Sequence, residues 1–259
     1  MIHLPRPRDV NLMVAATRAR LDTQLVARGL AESREKAKRL VLAGAVRVNG
    51  QLAHKPSDLV DDCVTVVVEA PEKYVSRGGY KLERALDQFH ISCDGLVCAD
   101  IGASTGGFTD CLLQRGAARV HAVDVGKGQL DWKLRQDPRV VVHDEQNARH
   151  LVADDLGGPV DLVSIDVSFI SLTKVLPSAV SVLRPGGTLV ALIKPQFEAG
   201  KKLVKKGGVV RDSRVHEAVT NMIREFATQT LGLTLLGVTE SPLLGPAGNK
   251  EFLIALRKS

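Results

Sequence analysis

The sequence predicts an α/β protein with a mostly parallel sheet, helices on both faces, an antiparallel strand pair at the sheet edge, and a small basic α+β module ahead of it. From Leu96 onward, apolar runs of strand length alternate with segments of helix length, a pattern typical of parallel sheets. A glycine-rich turn at residues 100–108 joins the first of these strands to a helix. The positive charge is concentrated earlier in the chain, between Arg18 and Lys55.

The N-terminal part predicts a compact two-helix module. The segment LDTQLVAR is a short amphipathic helix ended by Gly29, and Ser33 caps a second helix over residues 34–43. The pair Asn49-Gly50 suits a type I′ turn between two short strands, and residues 64–68 add another strand. We expect four regions: a loose extension (1–17), the basic module (18–70), a linker (71–76) and the large α/β domain (77–259).

The α/β region contains five apolar runs that predict strands: VCADIG, ARVHAVD, RVVVH, VDLVSID and GTLVALIKP. Between and after them we expect helices at residues 110–114, near Leu130, at 172–183 and at 214–230. The final runs, TLLGVTES and EFLIALR, are close in sequence and predict the antiparallel edge pair.

The charge distribution indicates a polyanionic partner. The chain carries a formal charge of +6, and residues 18–55 contain nine basic and three acidic residues, so this segment by itself accounts for +6. Clustered Lys and Arg favour nucleic-acid phosphates, although a solvated charged surface is the alternative. No apolar run approaches the roughly 18–20 residues of a membrane span, and the four cysteines form no CxxC pair. We therefore expect a cytoplasmic protein with reduced cysteines and no metal.

The turn DIGASTGGF predicts an adenosyl-cofactor site. Its glycines are spaced GxxxGG instead of the GxGxxG that seats a pyrophosphate, which favours S-adenosylmethionine, a cofactor without phosphate. Asp124 ends the following strand, where a carboxylate can accept the hydroxyls of a ribose. An ordinary tight turn is the alternative. The cofactor-binding residues predicted within the turn are Asp100, Gly102, Ala103, Ser104, Gly106, Gly107 and Phe108.

Four further residues have the character of a catalytic set. Asp166 and Lys194 each end a predicted strand, and ligands of open parallel sheets bind outside the carboxyl ends of the strands. Lys81 follows a Gly-Gly turn, and Glu251 begins the last strand. Each has an ordinary alternative, such as a helix cap or a solvated surface residue. A basic loop beside them is either a lid that meets RNA phosphates or a solvated loop; its lysines are Lys201, Lys202, Lys205 and Lys206.

The segment RLDTQLVARGLAESREKAKRLVLAGAVRVNG resembles the S4-type RNA-binding domain. The RLD, RG, SR and VNG landmarks occur in order, and the resemblance covers Arg20 to about Glu69. It implies an RNA ligand without naming a reaction. The RNA-facing residues expected on this basis, with one more after the linker, are Arg20, Arg34, Lys38, Arg39, Arg47 and Arg77.

The set Lys81, Asp166, Lys194 and Glu251 is similar to the Lys-Asp-Lys-Glu set of FtsJ-like ribose 2′-O-methyltransferases. With the S4-like module and the strings SRGGYKL, DVSFISL, KPQFE and GGVVRD, the chain resembles the TlyA family, which is historically labelled haemolysin and contains rRNA cytidine-2′-O-methyltransferases.

The resemblance implies a Rossmann-like class I methyltransferase sheet, S-adenosylmethionine as cofactor, and ribosomal RNA or ribosomal subunits as partner. Gly102, Ser104 and Gly106 would hold the methionine part of the cofactor, Asp124 its ribose, and Asp144 or Asn147 its adenine side. The sequence Val167-Ser168-Phe169 after Asp166 departs from the FtsJ pattern, which usually has a proline-containing turn there.

The chemistry of the expected reaction assigns a role to each member of the set. A ribose 2′-hydroxyl is a poor nucleophile, so a positioned base must take its proton as the C–O bond forms. Lys194 is the candidate base, Asp166 would orient it, and Glu251 would fix Lys81. A base methyltransferase, a non-catalytic RNA-binding or haemolysin-like protein, and a pseudouridine synthase remain alternatives. The chain lacks the polar-Pro-Pro-aromatic turn or catalytic cysteine that a base methyltransferase normally needs near Asp166.

Overall fold

The computed structural model describes residues 18–69, 72–200, 204 and 207–259. The chain divides into two compact units between Glu72 and Lys73. The extension before Arg18 and the four loop lysines predicted to meet RNA lie outside the described residues. No helix in the part of the chain that the structure describes is long and apolar enough to cross a membrane.

The described part of the first unit consists of two helices and two small antiparallel sheets. Strand β1 pairs with β4, and β2 lies between β3 and β5. The elements, in chain order, are β1 (Arg18–Arg20), α1 (Leu21–Ala27), α2 (Arg34–Leu42), β2 (Val46–Val48), β3 (Gln51–Leu52), β4 (Leu59–Asp61) and β5 (Val66–Val68).

Local sequence explains most of this unit. The Ser33 side chain caps α2 by accepting a hydrogen bond from the Lys36 amide, and the β2–β3 turn places both Asn49 and Gly50 at positive φ, as a type I′ turn requires. Leu21 and Leu25, one helical turn apart, are fully buried in a core shared with α2 and the strands.

The second unit is a seven-stranded sheet flanked by helices. Its strands are β6 (Val97–Ile101), β7 (Arg119–Val123), β8 (Val140–His143), β9 (Val160–Ile165), β10 (Leu183–Ile193), β11 (Thr234–Glu240) and β12 (Phe252–Arg257). Its helices are α3 (Gly78–Gln88), α4 (Gly107–Gln114), α5 (Trp132–Arg135), α6 (Leu176–Val182), α7 (Pro195–Glu198) and α8 (Ser213–Glu225).

The strand order across this sheet is β11-β12-β10-β9-β6-β7-β8. The five strands from β10 to β8 run parallel, whereas β12 is antiparallel to both β10 and β11. The predicted fold class and the antiparallel edge pair are therefore confirmed. The chain runs outward from β6 through β7 to β8 and then returns to place β9 on the other side of β6. This reversal creates a crevice at the carboxyl ends of β6 and β9, where open α/β sheets bind ligands.

Alternate residues of the central strands enter different cores. On β9, Val163 and Ile165 belong to one buried cluster, while Leu162 belongs to the other. Successive side chains of a strand point to opposite faces, so both faces of the sheet are covered.

Several helices differ from the sequence prediction. The helix expected at 172–183 is a 3-10 turn, Leu172–Lys174, followed by α6 with Pro177 in its first turn, because proline tolerates that position and lacks the N–H for a helix interior. The helix expected at 214–230 is α8 followed by a π-helical turn at Phe226–Thr230. The helix near Leu130 is only the single turn of α5.

Candidate functional site

Three of the predicted site residues meet at the crevice beside β6. Asp166 follows β9 and Lys194 follows β10, so parallel pairing brings both residues to the same edge of the sheet. The Asp166 amide donates to the Ile101 carbonyl at 2.9 Å, which ties the end of β9 to the end of β6. Lys81 reaches the same crevice from α3.

A cavity of about 300 Å³ opens here, and we call it the lysine cavity. Its walls come from the start of α3, the glycine-rich turn, the ends of β9 and β10, and the loop before β12. The lining residues are Ser76, Arg77, Gly78, Lys81, Gly102, Ala103, Ser104, Thr105, Gly107, Phe108, Asp166, Ser168, Lys194, Leu243 and Leu244.

Lys194 is fixed by two oxygen atoms. Its Nζ lies 2.6 Å from Asp166 Oδ1 and donates to Ser168 Oγ at 2.8 Å. The side chains of Lys194 and Asp166 are 10% and 21% exposed, so the pair is shielded from bulk solvent while both members still line the cavity. Two of the three bonding directions of the Lys194 nitrogen are used, and the third is available to a substrate.

Lys81 is held by a second carboxylate. Its Nζ lies 2.5 Å from Glu251 Oε2, and Glu251 is fully buried. Glu251 itself is not part of the cavity lining, so it acts on the cavity through Lys81. The buried pair joins α3 to the loop before β12. The Glu251 carboxylate balances the charge of Lys81.

Two glycines bring the backbone of the turn close to its neighbours. Gly102 has a φ of +82°, and a Cβ there would lie 2.5 Å from the Asp166 carbonyl oxygen. A Cβ on Gly107 would lie 2.3 Å from Ser76 Oγ and 2.9 Å from the Gly79 amide. Real Cβ atoms do not approach this closely, so both positions require glycine if the crevice is to keep its shape.

A second cavity, of about 380 Å³, adjoins the first, and we call it the Asp124 cavity. The two cavities share Gly102, Ser104, Asp166 and Ser168. The other residues lining the Asp124 cavity are Val123, Asp124, Val125, Gln129, Gln146, Asn147, Ala148, Arg149, Val167, Phe169, Ile170 and Val175.

Asp124 is oriented by backbone amides on either side of the strand end. Its Oδ2 accepts from the Ser104 amide at 2.8 Å, and its Oδ1 accepts from the Gly126 amide at 2.7 Å. Each carboxylate oxygen keeps a further lone pair. The carboxylate is therefore fixed in place and can still accept hydroxyl groups from a ligand in the Asp124 cavity.

Asp100, Gly106 and Asp144 were predicted to touch the cofactor, but the structure leaves them out of both cavity linings. Asp100 is fully buried and accepts hydroxyl hydrogen bonds from Thr109 at 2.7 Å and Ser164 at 2.9 Å. Burial raises the pKa of Asp100 to about 7 against the lowering effect of these hydrogen bonds. The Asp100 carboxylate thereby links α4 and β9 to β6 beneath the glycine-rich turn.

The other two have different partners. A Cβ on Gly106 would point at the Leu130 and Leu134 side chains, so this glycine serves packing. Asp144 is ion-paired with Arg135 at 2.8 Å, and the hydrogen bond from that guanidinium lowers the pKa of Asp144. Asn147 does line the Asp124 cavity.

Several cavity residues were missed by the sequence reasoning. Ser168 bonds Lys194, Gln129 and Gln146 offer amides to the Asp124 cavity, and Ile170 adds an apolar wall. Ser168 and Ile170 belong to the DVSFISL string, which directly follows a predicted strand. That position could have indicated that both residues lie at the ligand-binding edge of the sheet. Within the same string Phe169 is 90% exposed, has a φ of +65°, and lies with its ring centroid 5.0 Å from that of Phe197.

In the first unit, Asp22 holds two of the predicted RNA-facing arginines. Asp22 is fully buried, and its carboxylate lies 2.8 Å from Arg20 and 3.4 Å from Arg34. Hydrogen bonds from Arg20 and then from Arg34 hold the pKa of Asp22 well below its usual range. Both guanidinium groups remain about half exposed, so they are oriented and still accessible to phosphates.

The remaining predicted RNA-facing residues are more loosely held. Lys38 pairs with Glu35 and Arg47 pairs with Glu69 in solvent-exposed ion pairs, which contribute little to stability. Arg39 is exposed on α2. In the second unit, Arg77 is exposed and lines the lysine cavity.

Two family models match the chain. The FtsJ-like methyltransferase model matches residues 74–258, and the S4 domain model matches residues 19–66. The first match covers nearly all of the second unit, and the second covers most of the first unit.

Relatives are similar to the chain over almost its whole length. The 16S/23S rRNA (cytidine-2′-O)-methyltransferase TlyA of Mycobacterium tuberculosis strain H37Rv is 50% identical over 244 residues, which cover 93% of this chain and 91% of the relative. Putative rRNA methyltransferase YqxC of Bacillus subtilis is 48% identical over 94% of this chain and 87% of its own. A solved structure called putative hemolysin from Streptococcus thermophilus is 46% identical, with a TM-score of 0.72, and the match covers 95% of this chain and 90% of that one. The chain therefore belongs to the TlyA family, in which an S4 domain is followed by an FtsJ-like methyltransferase domain.

Proposed function

We propose that this protein transfers a methyl group from S-adenosylmethionine to the 2′-oxygen of a cytidine in ribosomal RNA. The observation that supports this most directly is the pair of carboxylate-held lysines, Lys194 with Asp166 and Lys81 with Glu251, at a cavity that adjoins the Asp124 cavity. Family membership agrees with it, because the related TlyA protein is named an rRNA (cytidine-2′-O)-methyltransferase.

The Asp124 cavity fits the adenosine part of the cofactor. Asp124 is a fixed carboxylate that can accept both hydroxyls of a ribose, and Asn147 and Gln146 offer amides that complement the edge of an adenine. Val125 and Ile170 supply apolar walls on the same cavity. Its volume of about 380 Å³ lies within the range of small-molecule sites.

The shared boundary of the two cavities suits the rest of the cofactor. Gly102 and Ser104 line both cavities and would hold the methionine part, with Ala103, Gly107 and Phe108 beside it. When bound, S-adenosylmethionine supplies an electrophilic methyl group on a sulfonium. The lysine cavity would then receive the ribose of the RNA, next to Lys194.

Lys194 would serve as the base. Its neutral amine takes the proton of the 2′-hydroxyl as that oxygen gains the methyl group, so the proton ends on Nζ and the negative charge never builds up fully on oxygen. Asp166 and Ser168 hold the amine in one orientation and stabilise the ammonium that results.

Lys81 would orient the substrate by donating hydrogen bonds into the cavity. Glu251 holds the Lys81 side chain from a fully buried position. Preorganised donors of this kind lower the barrier because they need no rearrangement during the reaction.

The S4 domain would supply most of the affinity for ribosomal RNA. Arg20 and Arg34, oriented by Asp22, can contact phosphates with little loss of side-chain entropy, and Arg39 adds an exposed charge on α2. These arginines would contact phosphates and take no part in the reaction. Because phosphate contacts release counterions, we expect the affinity for RNA to fall steeply with salt.

The reaction is tested by incubating the protein with tritiated S-adenosylmethionine and separated ribosomal subunits that lack the modification. We expect tritium in rRNA at a cytidine whose 3′ linkage has become resistant to alkali, because alkaline cleavage requires a free 2′-hydroxyl. A methylated nucleotide that alkali still cleaves would instead indicate base methylation. Absence of incorporation into any subunit would contradict the proposal.

A further inference from the structure

A groove of about 580 Å³ lies beside the loop before β12, the loop that also lines the lysine cavity. Its walls include Val210, Arg211, Ser213, His216 and Lys250, and it shares Leu244 with the lysine cavity. We call it the Arg211 groove. Leu244 is 52% exposed and lines both the groove and the cavity proposed for the ribose.

The groove is a built feature of the fold. Asn249 is 2% exposed, and its side chain bonds two backbone groups of the facing segment: Oδ1 accepts from the Val210 amide at 3.0 Å, and Nδ2 donates to the Gly208 carbonyl at 2.9 Å. His216 is buried on the opposite side, with Nε2 2.9 Å from the Val210 carbonyl. The segment that carries Arg211 is thereby fixed against both the loop before β12 and helix α8.

The charge of the groove is positive. None of the described residues that line it is acidic. Lys250 is paired with Glu240 at 3.0 Å, whereas Arg211 is exposed and forms no ion pair with any described residue. An exposed guanidinium on the wall of a groove matches a phosphate.

We infer that the Arg211 groove binds the RNA strand beside the methylated nucleotide, with Arg211 contacting a backbone phosphate. The inference rests on the proposed function, because the groove adjoins the cavity assigned to the ribose. A strand that places one ribose against Lys194 must leave that cavity at either end, and Leu244, which lines both, connects the cavity to the Arg211 groove. The contact is to the backbone, so it positions the strand without reading its sequence.

The test compares Arg211→Ala with Arg224→Ala in the full-length protein. Arg224 is exposed on α8 and lines neither the cavities nor the groove. For Arg211→Ala we expect the Kd for ribosomal subunits to rise roughly three- to tenfold and the slope of log K against log salt to fall by about one. Cofactor affinity by calorimetry and kcat at saturating RNA should stay within about twofold of wild type, and Arg224→Ala should behave as wild type.

Binding is measured separately from methylation, so the two proposals fail separately. If subunits are bound but never methylated, the proposed reaction is wrong while the binding comparison still decides the groove. Equal Kd values and salt slopes for wild type and Arg211→Ala would overturn the groove inference.

A cross-linking experiment locates the strand directly. A photoreactive thiol reagent is attached to Ser213→Cys in a Cys63→Ser background, since the other three cysteines are buried. We expect cross-links within a few nucleotides of the methylated cytidine, and none there from Gln229→Cys, in the π-helical turn that follows α8. Cross-links from residue 213 that map only to distant rRNA would also overturn the inference.

Discussion

Replacing Lys194 with arginine separates a proton-accepting role from a purely electrostatic one. Arginine keeps a positive charge opposite Asp166, but its guanidinium does not deprotonate in proteins. Removing the charge altogether would be a poorer test, because the Asp166 side chain is only 21% exposed and a largely shielded carboxylate left without its partner is destabilising. With arginine the ion pair remains, so folding and cofactor binding are expected to survive.

The magnitude follows from the role. Loss of a positioned general base typically costs about 10²- to 10⁴-fold in rate, which corresponds to roughly 2.7–5.5 kcal/mol in the activation free energy. Ser168 and Asp166 use two of the bonding directions of Lys194, so the proton of the 2′-hydroxyl must reach Nζ through the third. The other described lysine that lines this cavity, Lys81, is bonded to the fully buried Glu251.

The assay is single-turnover methyl transfer to ribosomal subunits, followed across a pH range. The Lys194→Arg protein should be slow at every pH, because its guanidinium does not give up a proton. Lys174→Arg is the matched control, since Lys174 is exposed and lines neither cavity; it should react at the wild-type rate. A Lys194→Arg protein that retains more than about a tenth of the wild-type rate, with the wild-type pH profile, would refute the assignment.

Three further expectations follow from other parts of the molecule. Asp124→Asn should weaken S-adenosylmethionine binding by about 1–3 kcal/mol in calorimetry, because a charged acceptor is lost, and unchanged affinity would argue against the ribose contact. Arg39→Ala should lower the salt slope of rRNA binding by about one while leaving cofactor affinity unchanged; an unaltered slope would remove Arg39 from the RNA contacts. Burial lowers the pKa of His121 to about 4, and its Nδ1 lies 3.0 Å from Nε2 of His143. As pH falls, His121 is therefore protonated in the unfolded chain before it is protonated in the folded protein. Its contribution should lower the free energy of unfolding by roughly 2–3 kcal/mol between about pH 6.5 and about pH 4. Asp100, with its raised pKa, acts in the opposite direction in every variant, so comparing urea unfolding of wild type and His121→Gln isolates the histidine; parallel pH curves would contradict the reasoning.

The fold class could be predicted from local patterns because those patterns are strongly periodic. Apolar runs that alternate with helical segments indicate parallel strands whatever their order in the sheet. The Asn49-Gly50 turn is likewise local, because its positive φ values depend on the two residues themselves. Helix lengths were less predictable. The single turn of α5 and the break before Pro177 depend on packing and on local turn chemistry that override a weak propensity.

For the site, the sequence by itself determined which strand ends carry chemical groups: Asp166 and Lys194 follow apolar runs, and that position is a property of the chain. Only the tertiary structure decided which of these groups meet. Glu251 reaches Lys81 across 170 residues of sequence, since β12 inserts antiparallel beside β10, and no local pattern encodes that insertion. Asp100 has the same apolar neighbours in sequence as a ligand-binding acid would, yet Thr109 and Ser164 enclose it. The residues of a strand end are fixed by local periodicity, whereas the surroundings of each side chain depend on contacts between distant segments, which form only when the whole sheet assembles.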